Sequence, residues 1–555
     1  MGASDVSKPV VKPEDTESLA AVELVVDKLV YGGEGLGRLP DGRVVFVEGA
    51  LPGETVTVTL DETVKRKRSG KLVSVLQPSA LRLEPRCCHA AVCGGCHWQH
   101  LAYEAQLQWK HQIVAESLQR IGQFEAAVVK PPIGFDAEAG GAWRYRQTVR
   151  WAVHQAGDGR FALAYHRRHE HEGLVAVSQC PVLPVPLERL IQAINDHGQA
   201  VLAMCGEVVA RIATAGTQTD TESGTGADTG LCVVGFCAAP DRLEDVLGYT
   251  GLSALYDTLK QAVPTLSGLQ WVLPDGAVVS DEDNGDGSDD HSDDHSGDDN
   301  DKEQPTDFQP VAGTVDVEAR FTTTDGIWTF PLGVGHFFQN HAAGAQALLD
   351  VVEAQLPPAS GPKAESLLDL YAGVGFFTVP FARRFDRVVA VEGQGEALAR
   401  LVDYAAGQGL INIMALNQSV ESFVTLPAEP VTVTLLDPPR NGVLPAVLAC
   451  GGGQHHMSRI VYVSCNPTTL ARDLRQLCEA GWQLAWVQPV DMFAQTYHIE
   501  CVAMLTRRPD VAADVAEDGD AQGNPPRIGI KGRLEEGFVK GISWAFGDYF
   551  WRLHP

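Results

Sequence analysis

The sequence predicts a multidomain α/β chain: an N-terminal β-barrel, a central α+β domain with a cysteine cluster, and a C-terminal doubly wound sheet. Three observations carry this. Residues 22–79 are β-rich runs broken by Gly-rich turns, residues 80–333 mix both element types around CCHAAVCGGCHWQH, and residues 334–508 alternate apolar runs with helix-length segments. A chain of 555 residues has room for three or four domains of roughly 100–200 residues each.

In chain order, residues 1–21 mix Pro, Lys, Glu and Ser without periodicity and predict a disordered leader. VELVVDKLV, RVVFVEGAL, ETVTVTL and GKLVSVL then give four or five short strands over 22–79, the pattern of a small barrel of OB type. KRKR at Lys65–Arg68 lies between two of them and is either a solvated loop or an RNA-backbone contact. Residues 80–333 hold the cysteine cluster, the helical pattern YEAQLQWKHQIVAESLQRIG, and strands over 143–180 bearing Arg144, Arg146, Arg150, Arg167 and Arg168. Polar stretches at 214–230 and 275–310 interrupt this domain and predict disorder. From 334 to 508, LLDLYA, RVVAVEG, VTVTLLDPP, RIVYVSC and VAML alternate with helical patterns, which is how a parallel, doubly wound, Rossmann-like sheet reads. Residues 509–555 are an acidic linker and an aromatic tail.

The net charge of −28 taken whole argues against a nucleic-acid partner. Its distribution removes the objection. Residues 281–307 alone carry net −12, and the leader, the 214–230 stretch and residues 509–526 add −2, −3 and −5, leaving about −6 for the rest. No apolar run reaches the roughly 18 residues of a membrane span, and the first residues lack a signal-peptide core. A cytoplasmic monomer is expected, with its 12 cysteines reduced and any clustered ones serving metal or catalysis.

Five motifs carry chemistry. In LLDLYAGVGFFT a strand runs into a turn with Gly373 and Gly375, and Glu392 ends the next strand about 20 residues on. A glycine turn facing a helix N-terminus, with an acid placed for ribose hydroxyls, suits a nucleoside cofactor; the missing third glycine disfavours NAD and leaves S-adenosylmethionine (SAM). In LLDPPRNG two prolines stop a strand after Asp437 and hold a stiff loop with Arg440 over the sheet edge. In VSCNPTTLARDL, Cys465 ends a strand just before a helix, where the dipole favours a thiolate. Glu500 opens an otherwise apolar strand, as a paired structural carboxylate or a general base. Cys87, Cys93 and Cys96, with Cys88 adjacent and Cys180 as the best distant fourth ligand, can hold zinc or an iron–sulfur cluster; spacing does not choose.

LGVGHFFQNH, DLYAGVGFFT, VEG, LLDPPRNG, VSCNPTTLARDL and QTYHIE stand in the order seen in bacterial RNA uracil-C5 methyltransferases, and the chain resembles their ribosomal branch over roughly 22–508. The resemblance implies a TRAM-like barrel, a SAM-dependent methyltransferase domain, and a [4Fe-4S] cluster on Cys87, Cys93, Cys96 and Cys180. It implies a SAM site along Gln339, Tyr371, Phe376, Glu392, Ser419 and Asp437, with Cys465 as nucleophile and Glu500 as base. The family often has Asn where this chain has Phe376 and Ser419, and a phenyl ring makes no side-chain hydrogen bond. The implied partner is RNA: 23S rRNA, with tRNA as the alternative. A non-catalytic RNA-binding protein is the reading that intact Cys465 and Glu500 oppose, and cytosine-C5 methylation the one that the SCNP context opposes. Gln339 and Asn340 offer amides suited to a uracil edge.

Overall fold

The structure is a computed structural model that describes residues 21–61, 69–137, 141–168, 170–213, 230–273, 311–424, 431–445, 447 and 458–508. The expected leader, KRKR, most of the 214–230 stretch, the acidic tract and the tail lie outside the described residues, save for a residue at some edges.

Five strands, Ala21–Leu29, Gly35–Arg38, Val44–Val47, Thr55–Asp61 and Ser69–Gln77, close into a barrel. Alternation does this: Leu24, Val26, Val45, Val47, Val56 and Val58 point inward and are buried. Gly37 is required at a crossing, because a Cβ there would lie 2.5 Å from Leu24 Cδ1. Fully buried Glu54 accepts Arg82 through both carboxylate oxygens, at 2.5 and 2.7 Å, and the amides of Leu51 and Ser79, so its charge is paired and hydrogen-bonded. That ties the barrel to the segment entering the cysteine loop.

The central domain is a seven-stranded sheet in the order 311–313, 266–272, 231–238, 205–213, 148–155, 161–167, 170–176. Among the described residues only strands 231–238 and 266–272 of this sheet pair in parallel, joined by the helix Leu252–Ala262; its other pairings are antiparallel. Trp151, Phe236 and Trp271 fill its core.

After the hairpin of Asp316–Thr323 and Gly326–Gly333 comes the second seven-stranded sheet, in the order 413–417, 385–392, 364–370, 433–436, 459–464, 500–507, 482–490. Its first five strands are parallel, as expected. The strand Glu500–Arg507 runs antiparallel to Arg459–Ser464, which corrects a reading of the whole sheet as parallel. No crossover helix separates Trp482–Val490 from Glu500–Arg507, so the chain turns straight back. Among the described residues no helix is long and apolar enough to cross a membrane, and the described cysteines are free thiols.

Candidate functional site

The sheet order reverses between Ala364–Leu370 and Val433–Leu436, so their carboxyl ends open the crevice where α/β sheets take ligands. Tyr371 leaves the first strand in the left-handed region, φ 66°, followed by Gly373 at 55° and Gly375 at 84°. A Cβ on Gly375 would sit 2.8 Å from Leu401, whereas one on Gly373 would meet open space. The turn is therefore packed on its helix side and open on its crevice side. Glu392 closes it: one carboxylate oxygen accepts Gly373 N at 2.9 Å and the other accepts Gln394 N at 2.7 Å. A half-buried carboxylate fixed beside an open glycine turn fits the ribose end of SAM.

The other cofactor expectations fall at different depths. Tyr371 donates its hydroxyl to Glu421 at 3.2 Å. Ser419 caps the short helix Val420–Phe423 by accepting Ser422 N. Gln339 lies half-buried in the segment leading into the helix Ala342–Glu353. Phe376 is 7% exposed and its ring is packed among Phe321, Phe338 and Phe377, so the side chain belongs to the core beneath the turn. Asn340 has its acceptor engaged: its Oδ1 accepts Thr148 N at 2.6 Å and its carbonyl accepts Gln147 N, tying the loop before the helix Ala342–Glu353 to the central sheet.

Two carboxyls mark the crevice, Asp369 buried and Asp437 half-buried. Asp369 is 1% exposed, accepts Thr378 Oγ1, and leaves Oδ1 without a hydrogen-bond partner. Desolvation pushes Asp369 up to about 7 despite that hydroxyl, with Glu392 adding to the rise. Desolvation and the charge of Asp369 push Asp437 up to about 7 as well. A carboxyl whose folded pKa is raised contributes stability that is present below its unfolded pKa and lost as pH climbs through 7. Asp369→Asn is therefore expected to be more stable than the parent at about pH 8, by up to about 4 kcal/mol, with the gap narrowing towards about pH 4. Denaturant midpoints across pH check this; equal midpoints at both ends would show an unshifted carboxyl.

Strand reversal builds the next feature. Ser464 pairs with Cys501 across the antiparallel pair, so the residue after Ser464 and the residue before Cys501 share one sheet edge. These are Cys465 and Glu500. Glu500 is 5% exposed; burial and then Asp437 drive its pKa well above the usual carboxylate range, against the pull of Arg440. The Cys465 thiol is pushed up to about 11 by burial, then by Glu500, with Asp437 adding to it; Arg440 lowers it by charge and a side-chain hydrogen bond. Arg440 is itself held in place. Asn466 Nδ2 and Thr469 Oγ1 donate to its carbonyl at 3.1 and 3.2 Å, while Asn466 Oδ1 caps the helix Pro467–Glu479. Buried Asp473 then accepts Val443 N and the Tyr462 hydroxyl, fixing the far end of the loop. Sequence reasoning missed Asn466 and Asp473; the cap position of Asn466 before a proline was the available signal.

Cys87, Cys93, Cys96 and Cys180 line one cavity of about 940 Å³ with Arg146, Arg168 and Tyr497. Burial raises all four thiols, Cys87 to about 11 and Cys96 to about 12, and Cys180 acts electrostatically on both of those. Arg168 organises the loop by donating to the carbonyls of Ala90, Cys93 and Cys96, and it ion-pairs with Glu48 of the barrel. Gly95 N and the Tyr165 hydroxyl donate to the sulfurs of Cys93 and Cys180 at 3.4 and 3.8 Å. Among the described residues no three His, Cys, Asp or Glu side chains close on a single metal ion. The four thiols share this cavity with an amide and a hydroxyl donor beside two of the sulfurs.

A switch-point crevice with a glycine turn and a carboxylate fixed beside it is the arrangement of a nucleoside-cofactor site, and the comparisons with known proteins make the cofactor class that of a SAM-dependent methyltransferase. The fold matches that of a Pyrococcus abyssi tRNA (uracil-54, C5)-methyltransferase, solved with S-adenosyl-L-homocysteine, at TM-score 0.59 and 20% identity, over 87% of this chain and all of that one. Residues 333–508 match the family described as tRNA (Uracil-5-)-methyltransferase, and residues 21–73 match the TRAM domain. The chain is 30% identical over 500 residues to the 23S rRNA (uracil(1939)-C(5))-methyltransferase RlmD of Methylococcus capsulatus, covering 89% of this chain and 98% of that one. It is 30% identical to an uncharacterized RNA methyltransferase of Synechocystis, over 88% and 96% of the two chains. The chain belongs to the RNA uracil-C5 methyltransferase family: it is a SAM-dependent enzyme whose substrate is RNA.

Proposed function

We propose that the chain methylates C5 of a uridine in 23S rRNA through a covalent adduct between Cys465 and uracil C6. The observation that carries this is that Cys465 and Glu500 share one sheet edge, with Arg440 of the neighbouring loop hydrogen-bonded to the thiol. Relatives 30–32% identical that match nearly end to end are named for 23S rRNA, whereas the solved tRNA enzyme is only 20% identical, which supports the choice of RNA.

SAM supplies an electrophilic methyl group; Glu392 and the Gly373 turn would hold its ribose end, with Tyr371, Ser419, Asp437 and Gln339 along the same crevice. The chain's own residues do the rest. Uracil C5 is a poor nucleophile until Cys465 Sγ adds to C6, which moves the C5–C6 π pair into an enolate with carbanion character at C5. Arg440, beside the thiol, favours the thiolate that must form. After C5 has taken the methyl group, Glu500 removes the C5 proton, the π bond re-forms, and Sγ leaves. Burial favours the protonated form of Glu500 and so makes its carboxylate the stronger base once ionised, and Arg440 pulls towards that ionised form. A uridine reaches this edge only unstacked, so a flipped or single-stranded target is expected.

The cavity of Cys87, Cys93, Cys96 and Cys180 is read as the seat of a [4Fe-4S] cluster. The four thiols meet its ligand count, and burial keeps them protonated until a metal displaces the protons.

The test is to incubate the protein with methyl-labelled SAM and, separately, 23S rRNA and bulk tRNA, and to map the product. Label as 5-methyluridine in one 23S segment is expected. Label in tRNA alone would overturn the rRNA assignment, and 5-methylcytidine would overturn the choice of base.

A further inference from the structure

We propose that the first loop of the barrel forms a wall of the RNA pocket: Tyr31, with Tyr497 and His498, is a stacking platform for a nucleobase flanking the target uridine. The proposal deepens the reading of Cys465 as the uridine-adding thiol and rests on it.

The loop is built to hold one ring in one place. Val30 N donates to Glu34 O and Gly33 N to Val30 O, both at 3.0 Å, closing a tight turn through Gly32 and Gly33 at φ 116° and 89°. Fully buried Trp98 donates its indole N–H to Gly33 O at 2.9 Å. A Cβ on Gly33 would come 2.9 Å from the Tyr497 ring, so only glycine lets the loop approach this closely. The segment it touches runs directly into Glu500. Gln495, at φ 66°, accepts His97 N and Trp98 N on its carbonyl at 2.9 Å, and Gln106 holds the Gln495 side chain and amide together.

The rings form a continuous patch. Tyr31 stands edge-on to Tyr497, centroids 5.5 Å apart at 87°; Tyr497 lies 4.1 Å from His498 and 4.7 Å from His97. Tyr31, Tyr497 and His498 are part-exposed. The patch borders the reacting edge, since Cys465 and Arg440 act electrostatically on the Tyr31 hydroxyl and Arg440 on His498. It is also uncharged: burial, then Tyr497 and Cys465, push Tyr31 up to about 12, and burial with Arg440 pushes His498 down to about 3. Neutral aromatic faces beside a cationic guanidinium are what a base and its phosphate need, because every base offers a π face. A flipped uridine also leaves a gap in its stack that such rings can fill.

The competing role is plain packing, since one side of Tyr31 touches the cluster of Leu29, Leu51 and Trp98 between the barrel and the cysteine loop. Tyr31→Leu and Tyr31→Phe in the full chain with its cluster separate the two. The probe is the RNA segment that the wild type methylates, with RNA affinity, kcat/KM, SAM affinity and thermal midpoint measured together. Tyr31→Leu is expected to weaken RNA binding by about ten- to a hundredfold, the range for one base–aromatic stack. Tyr31→Phe should bind within about twofold of wild type, and SAM affinity should hold in both. The proposal is overturned if Tyr31→Leu binds RNA normally, if Tyr31→Phe loses as much as Tyr31→Leu, or if SAM affinity and thermal midpoint fall in parallel with RNA binding. A wild type that methylates no uridine would instead overturn the functional reading beneath it.

Discussion

Replacing Cys465 by Ala is expected to abolish methyl transfer, by at least about 10⁴-fold, because without the thiolate C5 never gains carbanion character. No covalent protein–RNA species should form. SAM binding should survive, since Glu392 and the Gly373 turn are held by bonds that do not involve Cys465. Glu500→Gln is expected to behave differently. Addition and methyl transfer need no base, so the variant should react once and then stall with a methylated adduct. The fold should tolerate it: burial favours the neutral carboxylic acid at this position, and an amide has nearly that shape and polarity. A denaturing gel with labelled RNA should show a retarded band for Glu500→Gln and none for Cys465→Ala. Normal turnover in both would sink both assignments. An inactive Glu500→Gln without adduct would move Glu500 from proton acceptor to substrate positioning.

The second large effect concerns the cysteine cavity. Protein purified without oxygen is expected to be brown, and Cys180→Ser to lose most of its iron and acid-labile sulfide. Cys88→Ser is the control: that thiol is exposed and does not line the cavity, so iron should stay. The consequence should reach the reacting edge, because the loop of Cys93 and Cys96 continues into His97 and Trp98, whose amides are bonded to Gln495, five residues before Glu500. Methyl transfer to RNA and iron content should fall together in Cys180→Ser. Stoichiometric zinc with no iron in the wild type would overturn the cluster.

The regular parts of this fold were legible because their signals are local. Alternation in VELVVDKLV and ETVTVTL marks strands with one buried face, and GVG after LLDLYA marks a turn that only positive φ can make. The prolines after Asp437 and the Asn466-Pro467 start of a helix were equally readable. The order of the last two strands was not. Hydrophobic periodicity carries no strand direction, and the direction of Glu500–Arg507 depends on the absence of a crossover helix before it. The residue type of Phe376 showed that it makes no side-chain hydrogen bond, but not that its ring packs into the core beneath the turn.

The sequence by itself determined the chemistry available: a thiol at a strand end, an acid opening another strand, a glycine turn with an acid at the end of the next strand, and four cysteines in two places. Residue type and short-range spacing suffice for that, since each depends on one turn or one strand. Only the tertiary structure decided which of these act together. Cys465 and Glu500 stand 35 positions apart in the chain and meet because one strand runs against its neighbour. Asn340, attractive as a base reader, has its side-chain oxygen taken by Thr148 N. Tyr31, more than 400 residues from Cys465, reaches its edge because a buried tryptophan and one glycine clamp the barrel loop there. Such contacts are set by packing across separate domains, where close approach and burial choose the partners.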